Sequence, residues 1–90
     1  GIIKNNITLA ESLLLPTGLI RLNRPGAGPI AFNEYLGGDV DNFCEKLLED
    51  TGVLLLPGSV YDFPGNYFRM GYGRSGFEEG VQRLKSFLTG

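Results

Sequence analysis

Apolar residues recur at intervals of three and four in three segments of the chain, which is the spacing of a helix with one buried face. These segments predict helices at 2–14, 39–51 and 75–88. The middle segment has the clearest ends, because Asp39 is a good N-cap and Gly52 suits the left-handed residue that closes a helix. Each helix therefore has one face with which it can pack against the rest of the domain.

The second and third helices are predicted to cover the same face of a sheet. Their apolar stripes supply the contacts: Phe43, Leu47, Leu48, Val81, Leu84 and Leu88. Cys44 lies on the first of these stripes, so it is interpreted as a core residue. Ser75 and Glu78 have the spacing of a capping box, which predicts the start of the last helix.

Shorter apolar runs between the helices predict four strands, at 19–23, 30–36, 53–56 and 66–73. The run 53–56 does not alternate, which indicates a strand that is buried on both faces. This order of elements predicts an α+β fold, with a mostly antiparallel four-stranded sheet and helices packed on one face. The first and last strands do alternate, so the other face should be less apolar and should meet water or another domain.

Composition restricts the classes of function. The chain has 90 residues, of which 42% are hydrophobic and 20% charged, as expected for one globular domain. Its net charge is −2 and its basic residues are scattered, which argues against nucleic acid as a partner. Its longest apolar run, 53–56, is far too short to span a membrane. With one Cys and no His, the chain cannot form an internal disulfide or a common zinc site. Since it begins with Gly1 and not Met, we expect a segment of a longer protein.

The last predicted strand contains the candidate site. Its bulky residues alternate onto the core face: Phe68, Met70 and Tyr72. Arg69 shares the opposite face with Gly71 and Gly73, so its guanidinium lies beside positions that have no side chain. A planar carboxylate could dock there through two parallel hydrogen bonds. The alternative is a surface arginine that lies over the sheet or pairs with Glu34.

Several segments of the chain resemble the class I/II aminotransferases. The residues that carry the resemblance are the runs 43–48, 51–60 and 66–74, the helix with Phe77, Glu78, Glu79 and Gly80, and Arg24-Pro25 leading to Gly28 and the strand 30–32. The similarity covers about residues 9–88. These enzymes have the fold type I architecture, with a large cofactor-binding domain and a C-terminal small domain. The chain resembles the small domain.

This resemblance implies a role for one residue: Arg69 would bind the α-carboxylate of the amino-acid substrate. The cofactor would be pyridoxal 5'-phosphate, bound by a large domain that this chain lacks. Lys4, Lys46 and Lys85 do not match the family's Schiff-base motif, so we assign no catalytic, cofactor-binding or metal residue, and the isolated chain should be inactive. The implied partners are an amino-acid or 2-oxo-acid substrate, the chain's own N-terminal large domain, and a second copy in a homodimer. The single cysteine, Cys44, makes a reducing, cytoplasmic setting the expected one.

Two other functions remain open at this point. The same scaffold serves pyridoxal-phosphate-dependent lyases and decarboxylases, and a free-standing α+β interaction module would also lack the lysine motif. Arg74 matches a recurrent position in the family, but no role is assigned to it. The loop 25–28 resembles one that faces the mouth of the active site, although a rigid turn explains it equally well.

Overall fold

The computed structural model describes residues 2–23, 29–62, 64–73 and 76–90. Within these ranges the α helices and strands follow in this order: α1 (Ile2–Leu14), β1 (Ile20–Arg21), β2 (Ile30–Tyr35), α2 (Val40–Thr51), β3 (Leu56–Pro57), β4 (Tyr67–Gly71) and α3 (Phe77–Thr89). Two short 3₁₀ helices, Leu15–Thr17 and Gly58–Tyr61, follow α1 and β3. The predicted order of helices and strands is confirmed.

The strands form one sheet in the order β1-β2-β4-β3, and each neighbouring pair is antiparallel. The longest ladder joins β2 to β4, from Ile30 opposite Gly71 to Glu34 opposite Tyr67. Strand β3 lies at an edge and pairs with β4 alone. The edge position explains how Pro57 fits into a strand, because the missing N–H of proline does little harm where one side of the strand is unpaired.

The helices pack on a single face of this sheet, as predicted. Phe43 of α2 contacts Phe68 of β4, with 5.9 Å between the ring centroids, and Phe77 of α3 lies 5.4 Å from the ring of Tyr72. Helix α1 packs against α3 and so extends the same layer. The buried core lies between sheet and helices and includes Ala10, Leu14, Ala31, Leu47, Met70, Val81 and Leu84. The α+β class is therefore confirmed.

The ends of α2 agree with the sequence signals. The Asp39 carboxylate accepts a hydrogen bond of 2.9 Å from the backbone N–H of Asn42, and Gly52 closes the helix with a φ of 77°. Helix α3 begins at Phe77, with Gly76 as its N-cap and no capping side chain. Ser75 lies outside the described residues, as does residue 74, so the predicted capping box stays a prediction.

Two predictions about burial are wrong. The run 53–56 is not a strand buried on both faces, since only Leu56 joins the sheet and Leu54 is 56% exposed. The chain leaves α2 at Gly52 and reaches the edge of β4 only at Leu56, so Leu54 is exposed to solvent whereas Leu55 is buried in the core. Leu48 is 46% exposed because it lies at the margin of the α2 stripe, whereas Leu88 is partly buried against the core.

The described part of the core includes a thiol, Cys44, and a polar side chain, Asn33. Cys44 is buried, as predicted, and burial raises the pKa of its thiol to about 12, with smaller contributions from Asp41 and Asp39. Asn33 is fully buried on the core face of β2, where it donates to the Tyr72 hydroxyl at 3.1 Å. A thiol with so high a pKa stays protonated at neutral pH and is a poor nucleophile.

Candidate functional site

Arg69 occupies the middle of β4, within the interior of the sheet. Its Cα lies opposite Phe32 on β2 and opposite Leu56 on β3, so backbone ladders fix it from both sides. The neighbours Phe68 and Met70 are buried under the helices. Since side chains alternate along a strand, Arg69 projects from the face that the helices leave uncovered. We call this surface the open face.

The Arg69 guanidinium has a specific contact on the open face. Its Nη1 donates a hydrogen bond of 2.8 Å to the hydroxyl oxygen of Tyr61, the last residue of the second 3₁₀ helix. The Tyr61 ring meets Phe32 edge-on, with a centroid separation of 5.9 Å and an angle of 82° between the ring planes. These contacts bring together Phe32, Tyr61 and Arg69, which belong to three different elements.

Arg69 does not pair with a carboxylate within the described part of the chain. The acidic residue that could have neutralised it, Glu34, lies 3.6 Å from Arg21 instead. The third described arginine, Arg83 on α3, pairs with Glu79 one turn earlier in the same helix. Arg69 thus differs from these two arginines, because its positive charge is available to a ligand with a negative charge.

The two glycines predicted to share a face with Arg69 have different surroundings. A methyl group added at Gly71 would meet no atom within 4 Å, so the surface beside the guanidinium is bare. Gly73 lies beyond the end of β4, and a methyl group there would approach Cβ of Pro29 to 3.2 Å. The predicted bare surface therefore consists of Gly71, whereas Gly73 allows close packing of two loops.

A groove of about 670 Å³ runs past Arg69. One wall is the segment 52–56, which diverges from β4 before it joins the sheet, and the other wall includes the first turns of α3. Leu54, Gly71 and Gly80 contribute to its lining. Arg83 and Glu79, which form an ion pair with each other, also line the groove, so Arg69 is its one cation without an ion pair among the described residues. A largely apolar groove with such a cation can accept a small molecule with a carboxylate at one end and an apolar part at the other.

The described residues outside this region offer little other chemistry. Lys4, Lys46 and Lys85 are exposed on α1, α2 and α3, on the helix side of the sheet. Within the described ranges, no three His, Cys, Asp or Glu side chains lie close enough together to hold a metal ion. The α helices seen there are also too short and too polar to cross a membrane. The predicted loop 25–28 and Arg24 lie outside the described residues.

Sequence reasoning missed Tyr61 and Asn33. Tyr61 stands in a segment that reads only as a loop, and its contact with Arg69 depends on how that segment folds back over the sheet. Asn33 stands in a strand where alternation does indicate the core face, because Ala31 precedes it by two residues. The alternation along β2 therefore indicates that Asn33 is buried, but the sequence does not reveal its hydrogen bond to the Tyr72 hydroxyl.

The chain is similar in sequence to known aminotransferases. It is 32% identical to tyrosine aminotransferase of Caenorhabditis elegans, over 97% of this chain and 20% of that protein. It is 37% identical to valine–pyruvate aminotransferase of Mycobacterium tuberculosis, over 87% of this chain and 23% of that protein. The chain resembles one domain of the aminotransferases. No family model matches it.

Solved structures agree with this result. A pyridoxal-phosphate-dependent aminotransferase of Streptococcus suis matches 98% of this chain with a TM-score of 0.82 and 25% identity. The matched region is 24% of that protein. The chain thus spans about a fifth to a quarter of its aminotransferase relatives, which agrees with the predicted small domain of fold type I.

Proposed function

We propose that this chain is the C-terminal small domain of a pyridoxal-phosphate-dependent aminotransferase, and that Arg69 binds the carboxylate of the amino-acid or 2-oxo-acid substrate. The observation that carries the proposal is the position of Arg69. It projects from the open face beside the bare Gly71, and no carboxylate among the described residues neutralises it. The aminotransferase relatives supply the reaction class, the transfer of an amino group.

The geometry of a guanidinium suits this role. Its planar array of N–H groups can give two parallel hydrogen bonds to one carboxylate, which fixes the orientation of the ligand as well as its position. Arg69 is held by ladders on both sides of β4, so its Cα cannot drift when a ligand binds. A substrate anchored through its carboxylate then has its amino-bearing carbon at a defined place relative to the rest of the enzyme.

The described residues of this chain do not suit the cofactor itself. When it is bound, pyridoxal phosphate stabilises negative charge on the substrate carbon and needs a lysine partner. The three lysines of the chain are exposed on the helix side of the sheet, opposite Arg69. We therefore assign the cofactor and its lysine to the rest of the protein, and we expect the 90-residue chain alone to be inactive. The open face is then the surface that meets the rest of the protein.

The test is a kinetic comparison of arginine variants in the complete enzyme. Arg69→Ala removes two charged hydrogen bonds to substrate, each contributing on the order of 1.5–3 kcal/mol. We expect kcat/KM for amino acids to fall by roughly 10²–10⁴-fold. Arg69→Lys should restore part of it, because lysine keeps the positive charge but lacks the two parallel N–H groups of the guanidinium. Amines without a carboxylate should be affected least.

Arg21→Ala is the matched control, because Arg21 lies on the same sheet but is paired with Glu34. Its kinetics should equal those of the wild type. An equal loss for amino acids and simple amines in Arg69→Ala would show that Arg69 has a structural role, and the assignment would then be withdrawn.

A further inference from the structure

The 3₁₀ helix Gly58–Tyr61 has a fixed place beside the open face. At its start, the Ser59 hydroxyl donates a hydrogen bond of 2.5 Å to the Asp41 carboxylate on α2. At its end, Asp62 adopts a left-handed conformation with a φ of 54°, and its N–H donates to the Ser59 carbonyl at 3.2 Å. Aspartate is one of the few residues besides glycine that are enriched in this conformation. The backbone of Tyr61 is thus restrained from both sides.

The side chain of Tyr61 is restrained as well. Its ring packs edge-on against Phe32, which is the cross-strand neighbour of Arg69. Its hydroxyl accepts the hydrogen bond from Arg69 Nη1 at 2.8 Å. An arginine with a free guanidinium samples many rotamers, and holding one nitrogen against a restrained acceptor removes much of this freedom before any ligand arrives.

The contact leaves a useful part of the guanidinium available. Tyr61 engages Nη1, and the described residues place no other hydrogen-bonding partner on the Arg69 side chain. The edge formed by Nε and Nη2 carries two parallel N–H groups, which is the arrangement that a carboxylate accepts. The acceptor is a hydroxyl oxygen and not a carboxylate, so it orients the cation without placing an opposite charge beside it.

We propose that Tyr61 is a positioning residue for the carboxylate site: it holds Arg69 through Nη1, so that the Nε–Nη2 edge is already oriented for substrate. This inference rests on the proposed function of Arg69. A ligand that must immobilise a mobile long side chain when it binds loses about 3- to 10-fold in affinity. Binding is stronger when the side chain is already held in place. Tyr61 should therefore act on substrate binding more than on the chemical step.

The test is Tyr61→Phe in the complete enzyme, which removes the hydroxyl and keeps the ring against Phe32. We expect KM for amino-acid substrates to rise about 3- to 10-fold while kcat stays within about twofold. KM for an amine without a carboxylate should not change. Tyr35→Phe is the matched control, because it also removes a tyrosine hydroxyl, but from a ring that is stacked on Phe43 of α2 and not on the Arg69 side chain. The kinetics of this variant should match those of the wild type. An unchanged KM for amino acids, or an equal rise for the amine, would overturn the inference.

The same substitution in an Arg69→Ala background separates this inference from the one on which it rests. If Tyr61 acts through Arg69, Tyr61→Phe should cause no further change once the guanidinium is absent. If Arg69→Ala itself leaves kcat/KM for amino acids unchanged, the proposed function fails. If Arg69→Ala weakens binding but Tyr61→Phe does not, only the positioning role fails. A further loss in the double variant would show that Tyr61 acts independently, which also contradicts the proposal.

Discussion

The two faces of β4 differ sharply, although they share one backbone. On the core face, Phe68, Met70 and Tyr72 are almost completely inaccessible and are covered by aromatic and aliphatic side chains of the helices. On the open face, Arg69 and Gly71 are partly exposed, and a bare position lies next to a charge. The strand therefore carries the packing of the domain on one side and its candidate chemistry on the other.

This difference shows which residues folding alone explains. A charge buried without a partner is strongly unfavourable, so Arg69 could not have faced the core. Gly71 weakens a strand because it has no side chain to pack and loses more conformational freedom on folding. We therefore expect neither residue to improve the stability of the isolated domain. Their presence side by side is better explained by a ligand or another domain that covers the open face.

The largest effect that tests this comparison is a loss of stability on the core face. Phe68→Ala removes a fully buried ring that contacts Phe43, and we expect the free energy of unfolding of the 90-residue chain to fall by about 3–5 kcal/mol. Such a loss is a large part of the total stability of a domain of this size. Denaturation in urea, followed by circular dichroism, measures it.

Phe32→Ala is the control from the opposite face, because Phe32 is partly exposed on the strand next to β4. Its loss should be smaller, about 1 kcal/mol, since less apolar surface leaves water on folding. Equal losses for the two phenylalanines would mean that the open face also contributes to the core, and the contrast between the faces would be wrong.

A second, smaller effect concerns the polar residue inside the core. Asn33 donates to the Tyr72 hydroxyl at 3.1 Å and accepts from the backbone N–H of Asn23 at 2.9 Å. Asn33→Ala leaves the buried hydroxyl without this partner, so we expect a loss of about 2–3 kcal/mol. Burial also raises the pKa of Tyr72, so in the variant the hydroxyl stays protonated at neutral pH and remains buried without this partner.

The double variant Asn33→Ala/Tyr72→Phe sharpens this test, because it removes both partners of one hydrogen bond. Its loss in urea denaturation should be clearly less than the sum of the two single losses. Strict additivity would show that the contact between Asn33 and Tyr72 contributes nothing to stability, and that Asn33 acts through its other contacts, with the backbone N–H of Asn23 and the sulfur of Met70.

The sequence predicted the layers of the fold well, because those depend on periodicity. The helical spacing located α1 and α2 to within one residue, and alternation in β4 assigned Phe68 and Arg69 to the correct faces. The run 53–56 was predicted poorly, since four apolar residues in a row do not reveal where a segment joins a sheet. Its placement depends on the distance between the end of α2 and the edge of β4, which is a tertiary property.

The candidate site was predictable only in part, for a similar reason. Arg69 and Gly71 are neighbours along one strand, so their proximity follows from the sequence. Tyr61 reaches Arg69 across eight positions through a 3₁₀ helix and a left-handed residue, and such a path has no periodic signal. Contacts that depend on the course of a loop require the structure, whereas contacts within a strand or a helix do not.

The smallest expected effect is the most direct test of the contrast between the faces. Arg69→Ala should change the free energy of unfolding of the 90-residue chain by less than about 0.5 kcal/mol, because Arg69 is partly exposed and forms no ion pair with a described residue. Met70→Ala, one position along the same strand, should cost about 2–5 kcal/mol because Met70 is buried. Both are measured by urea denaturation under identical conditions.

Combined with the large kinetic loss expected for Arg69→Ala in the complete enzyme, a near-zero change in stability would mean that Arg69 binds the ligand and does not stabilise the fold. A loss as large as that of Met70→Ala would place Arg69 among the residues that hold the domain together, and the kinetic effect would then have a structural cause.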